Sequence, residues 1–171
     1  GDANLEDGLV QGLGCPINRY HMGMTAENVA AQYEVSRSDQ DQLAMISQQR
    51  AVAASQEGRF ANQTVPVDVP HNGGDSLSIT LDESPRPNTT FDKLSQLQPV
   101  FKKEGTVTAG NSSTINDGAA AVVIMSEERA AELEITPRLQ WRARAVAGVD
   151  PAQMGIGPIP ATRMALDKAG M

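Results

Sequence analysis

Residue types able to hold or transform a ligand cluster in one run of this chain, Gly105-Thr-Val-Thr-Ala-Gly-Asn-Ser-Ser-Thr-Ile-Asn-Asp-Gly-Ala-Ala-Ala121. Glycines there let backbone approach backbone or ligand closely, while asparagine amides and small hydroxyls supply hydrogen bonds without bulk. The expected chemistry is contact rather than bond breaking. The other chemically equipped residues are scattered. His21 and Met22 stand just before a helix start, where they either line a ligand groove or form a capping turn with a packed methionine. Arg86, between Pro85 and Pro87, is rigidly presented and suits phosphate capture, or is simply solvated. Cys15 is the only cysteine, in the turn-like Gly14-Cys15-Pro16, and reads as a packed thiol rather than a nucleophile.

No nucleophile-base-acid series, no paired histidines at metal-ligand spacing and no dinucleotide fingerprint accompany these residues. His71 falls in a hairpin turn, facing solvent. The acidic pairs Asp39/Asp41, Asp82/Glu83 and Glu127/Glu128 are read as cap or solvated-face charges rather than acid-base dyads. Gly155-Ile-Gly157-Pro-Ile-Pro160 has prolines where a phosphate cradle needs free amides, so it reads as a tight turn at a domain junction.

These residues need elements to hold them. Leu5, Leu9 and Leu13 repeat at helical spacing over Asn4 to Leu13, broken by Gly12 and Gly14. A second helix is predicted from Thr25 to about Tyr33. A third opens on Ser36-Arg-Ser-Asp39, read as a capping box, and stops at Gly58, with Leu43, Ile46, Arg50 and Ala54 on one face. Thr64 to Val69 and Ser76 to Leu81 alternate as a hairpin. Thr90 caps a short helix carrying Leu94 and Leu97, ended by Pro99. The continuous apolar run Ala119 to Met125 is predicted as a buried central strand. A helix over Ser126 to Glu134, an extended Leu139 to Val149 and a helix over Ile159 to Ala169 complete an α/β order.

Composition narrows the partners. Fourteen basic and twenty-one acidic residues among 171 give a formal charge of −7, which disfavours nucleic acid and anionic lipid surfaces. A phosphate-bearing small molecule remains compatible, since a few placed donors suffice. No run is long enough to span a membrane, no signal peptide is visible, and the lone cysteine fits a reducing, cytoplasmic compartment. Starting at Gly1 rather than Met, the sequence is expected to lie within a longer reading frame.

Several segments together resemble the thiolase family in order and spacing. They are His21-Met-Gly-Met-Thr-Ala-Glu-Asn-Val-Ala30, Val35-Ser-Arg-Ser-Asp-Gln-Asp41, Gly58-Arg-Phe60, the Asp82 to Thr90 block, and Leu97-Gln-Pro-Val-Phe101. To these add the run from Gly105 and Val149-Asp-Pro through Met154-Gly-Ile-Gly-Pro-Ile-Pro160. The resemblance covers residues 5 to 171 and implies an α/β, partial thiolase fold: an α+β loop domain plus incomplete α/β layer elements. It divides the chain into a CoA-covering loop domain, residues 1–104, the end of one thiolase half, 105–137, and the start of the other, 138–171.

The implied activity is thiolysis of 3-ketoacyl-CoA or condensation of acetyl-CoA, through a cysteine acyl-enzyme. The family's nucleophile, histidine and second-cysteine motifs match nothing in this sequence, so an inactive central piece of a thiolase is expected, with no catalytic residue and no bound metal. The alternative is a stand-alone, non-catalytic CoA-binding or structural module. Carried over residue by residue, Leu13, His21 and Met22 match groove-lining positions, Arg86 a nucleotide-phosphate position, and Ala109 and Ser113 pantetheine contacts. Lys93 stands where relatives often have serine. CoA enters as substrate rather than cofactor, and a homo-oligomer is implied for the full-length parent.

Overall fold

The structure, a computed structural model, describes residues 5, 7–71 and 74–171. Asn4 and Glu6 of the first expected helix and Asn72 and Gly73 of the hairpin turn lie outside the described residues. Six α-helices appear among them: α1 (Gly8–Gly12), α2 (Met22–Gln32), α3 (Arg37–Gln56), α4 (Phe91–Ser95), α5 (Glu127–Glu132) and α6 (Pro158–Ala169). One antiparallel hairpin, β1 (Val67–Pro70) with β2 (Ser76–Ile79), pairs Val67 with Ile79 and Val69 with Leu77.

Most helix starts follow from local side-chain chemistry. Asp7 caps α1, Ser36 caps α3, Thr90 caps α4 and Ser126 caps α5, each accepting a backbone N–H of the first turn. The box at Ser36 is not reciprocal. Its hydroxyl accepts the Asp39 N–H at 3.1 Å and is itself donated to the Asp39 carboxylate at 2.6 Å, so that carboxylate does not return to the cap backbone. At the other end of α3, Gly58 takes φ +66°, the left-handed stop that a glycine supplies without strain. The Gly155–Pro160 stretch is not a bare turn: a 3-10 segment, Pro151–Ile156, runs directly into α6.

Packing centres on α2 and α3. The α2 helix lies against Pro151–Ile156, where the Asn28 amide donates to the Ala152 carbonyl at 3.0 Å. Against α3 packs α4, burying Leu94. The buried set is nearly half polar: Thr25, Glu27, Asp41 and Thr108 join Cys15, Ala30, Leu94, Val107 and Ala130.

Four expectations are corrected here. Asp41, read as a solvated or cap charge, is 1% exposed. Leu43, placed on the packed face of α3, is 68% exposed, because the buried face of this helix is chosen by the Asp41 anchor rather than by an apolar stripe. Ala119 to Met125 forms no strand, and Val122, Val123 and Ile124 are exposed. A strand exists only as one side of a hydrogen-bonded ladder, and no described segment pairs with this one. The same holds for Leu139 to Val149, where Leu139 and Trp141 are exposed.

Candidate functional site

Two buried carboxylates build the site by gripping the glycine-rich run at two points. Glu27, on the inner face of α2, accepts the Thr106 N–H at 2.9 Å, the Thr106 hydroxyl at 3.0 Å and the Val107 N–H at 2.8 Å. Four per cent exposed, it faces only neutral donors, an arrangement resembling an anion nest with the anion supplied by the protein. Gly105 makes the approach possible, since a Cβ there would overlap the Glu27 carboxylate.

Asp41 holds the second point, at Asn111. Its Oδ1 accepts the Asn111 amide at 3.1 Å and its Oδ2 accepts Arg37 Nε at 2.7 Å. Asn111 then folds the run on itself, accepting the Thr108 N–H at 2.8 Å and donating to the Thr106 carbonyl at 2.9 Å. The Ser112 hydroxyl closes the turn onto the Thr108 carbonyl at 2.7 Å. Arg37 extends the network to α4 through the Leu94 and Leu97 carbonyls, at 2.8 and 3.0 Å. No buried side-chain polar atom among the described residues lacks a partner. The loop is therefore rigidly held, and residues 109 and 112–114 of it are exposed.

Beside it lies an open groove of about 480 Å³, floored by Leu43, Ser47 and Gln48 of α3 and walled by Ser84-Pro85 and Gly110 to Thr114. Ser113 lines this groove. Arg86 sits at its edge, its backbone N–H donated to the Gln48 Oε1 at 2.7 Å and its side chain exposed. Ala109 is exposed on the same loop as Ser113.

The remaining expected residues form a second group. His21 is the N-cap of α2: its Nδ1 accepts the Gly23 N–H at 3.0 Å, and its ring stacks on Phe101 with centroids 4.6 Å apart. Capping is thus one role of His21. The Met22 N–H donates to the Leu13 carbonyl at 2.8 Å, which sets Leu13 beside the half-buried Met22. Val100 bonds the Val107 carbonyl through its N–H at 3.0 Å, tying the Phe101 segment to the glycine-rich run. The six residues do not share one cavity. Leu13, His21 and Met22 gather at the start of α2, while Ser113 lines the groove, Arg86 follows its wall residue Pro85, and Ala109 precedes its wall residue Gly110. Cys15 is buried, its Sγ accepting the Asn18 N–H at 3.3 Å.

Sequence reasoning missed Glu27, Asp41 and Asn111 as the residues that shape the loop. A signal was available at Glu27, a lone carboxylate between Thr25 and Ala30 on the side of α2 that the structure buries. None marked Asp41, which stands among other polar residues at a helix start.

Known proteins offer a frame for this geometry. The family described as "Thiolase, N-terminal domain" matches residues 1–128. The acetyl-CoA acetyltransferase of Thiocystis violacea is 53% identical over 171 residues, covering 99% of this chain and 43% of the relative. Human mitochondrial 3-ketoacyl-CoA thiolase superposes with a TM-score of 0.90 at 43% identity, over 100% of this chain and 43% of that one. A structure of the human thiolase in complex with CoA superposes with a TM-score of 0.84 at 43% identity, over 100% of this chain and 42% of that one. The chain therefore spans less than half the length of these relatives. Among the described residues, no helix is long and apolar enough to cross a membrane.

Proposed function

The chain belongs to the thiolase family, and on that premise we propose that it forms part of the CoA groove of an enzyme that moves acyl groups to and from CoA. The reaction is thiolysis of 3-ketoacyl-CoA or its reverse, condensation of acetyl-CoA. One observation carries this reading: the whole chain, groove included, superposes on a thiolase whose structure is a complex with CoA.

In this reading Arg86 meets the nucleotide phosphates, its exposed guanidinium free for a charge-assisted contact at the groove edge. Ala109 and Ser113 contact pantetheine along the rigid loop, and Leu13, His21 and Met22 line the way toward the acyl end. Residues 1–104 serve as the CoA-covering part. The acyl-carrying thiolate comes from outside these 171 residues, because Cys15 is buried and spends its sulfur on a turn.

Two measurements test it. The 171-residue protein, supplied with acetoacetyl-CoA and free CoA, is expected to show no thiolysis. Turnover by this chain would overturn the placing of the thiolate outside these residues, and its loss in Cys15→Ala would make Cys15 the nucleophile. Calorimetric titration with CoA is expected to detect binding, weakened about tenfold or more by Arg86→Ala, the scale of one charge-assisted phosphate contact. An unchanged affinity would remove Arg86 from the phosphate site.

A further inference from the structure

Helix α3 holds both halves of the groove. Asp41 in its second turn grips the Asn111 amide, and Gln48 grips the backbone N–H of Arg86. Seven residues apart, the two are separated by two helical turns, about 10 Å along the axis. The two oxygens of Asp41 do different things: Oδ1 holds the loop, and Oδ2 holds Arg37, which ties down the Leu94 and Leu97 carbonyls beneath it. Gly110 lies against those same leucines, and a Cβ there would sit 2.5 Å from Leu94 Cδ2 and Leu97 Cδ1.

We propose that Asn111, oriented by Asp41, is a positioning residue that fixes the pantetheine-contacting loop at a set distance from Arg86, with α3 as the spacer. The inference rests on the reading of Ala109 and Ser113 as pantetheine contacts. Asn111 borders the groove, but both ends of its amide are turned inward, on Thr108, Thr106 and Asp41. Ala109 and Ser113 flank it by two residues on each side and are exposed. Turning the Asn111 side chain therefore moves both contacts together and leaves Arg86 in place.

The test uses two ligands: CoA, and the adenosine bisphosphate that forms its nucleotide end without pantetheine. Asn111→Asp loses the donation to Thr106 and sets a carboxylate against the buried Asp41. It is expected to weaken CoA about tenfold or more while leaving the nucleotide within about twofold. The exchanged pair Asp41→Asn with Asn111→Asp restores the match between the two residues, with residue 41 donating to residue 111 and still accepting from Arg37, but not the donation to the Thr106 carbonyl. It is expected to regain part of the lost CoA affinity, about threefold or more over Asn111→Asp alone. Should Asn111→Asp fail to melt cooperatively, Asn111→Ser is read in its place, because it removes the amide without adding charge.

Equal weakening of both ligands, unchanged CoA affinity in the folded variant, or no recovery in the exchanged pair would each overturn the positioning role. An unaltered protein that binds neither ligand overturns the CoA reading itself, which separates the two failures.

Discussion

Glu27→Ala is expected to destabilise the protein by about 2 to 5 kcal/mol, one of the two largest single-residue effects this fold should show. The carboxylate is 4% exposed and satisfies two consecutive backbone N–H groups, of Thr106 and Val107, together with the Thr106 hydroxyl. Truncation leaves those donors buried or half-buried and opens a void where the carboxylate stood. Each orphaned donor costs about 1 to 3 kcal/mol. For a chain of this size the loss corresponds to roughly 5 to 15 °C in Tm. Glu27→Gln keeps one acceptor oxygen but turns an amide NH2 toward a donor, so it should fall between the two. Thermal melting followed by circular dichroism reads the effect, and a drop of under about 2 °C in Glu27→Ala would show that water replaces the carboxylate without cost.

Gly23→Ala is the second. A Cβ on Gly23 would overlap the ring of Phe101, and that ring cannot yield by swinging a flexible tip, because it is stacked on His21. Alanine in place of glycine favours a helix by about 0.5 to 1 kcal/mol, and Gly23 lies in the first turn of α2. Overpacking costs about 1 to 3 kcal/mol, and displacing a stacked ring adds about 0.5 to 1.5 kcal/mol. The steric terms win, and a net loss of about 1 to 3 kcal/mol is expected, with the His21 ring resonances shifted as its stacking partner moves. Urea denaturation measures the first consequence and NMR of the histidine ring the second. A higher urea midpoint in Gly23→Ala would mean that helix propensity decided the outcome and that Phe101 relocates freely.

Much of the local structure was legible in the sequence for the same reason that these helices have clean ends. Ser36, Thr90 and Ser126 begin helices because a short hydroxyl side chain satisfies a first-turn N–H. Gly58 and Gly170 end them at positive φ. The valines of β1 and the Leu77-Ser78-Ile79 alternation of β2 set a register that the hairpin keeps. Of the candidate site, the run from Gly105 stood out by composition alone, yet its conformation did not.

Ala119 to Met125 shows the limit from the other direction. Seven apolar residues in a row state that the segment belongs under cover, but a ladder needs a second chain segment, and composition does not supply one. Asp41 errs the opposite way. Its neighbours Gln40 and Gln42 make it read as surface, and its burial depends on Asn111, 70 positions later.

The sequence by itself determined the family, the capped starts of several helices and the glycine stop of α3, and which stretch is built for close contact, because caps, glycine turns and alternation act over a few residues. Tertiary structure alone decided the shape of that stretch and which carboxylates hold it. The decisive bonds span 79 positions from Glu27 to Thr106 and 80 to Val107. A carboxylate removed from water is stable only where several donors converge on it, and that convergence exists only after the chain has folded.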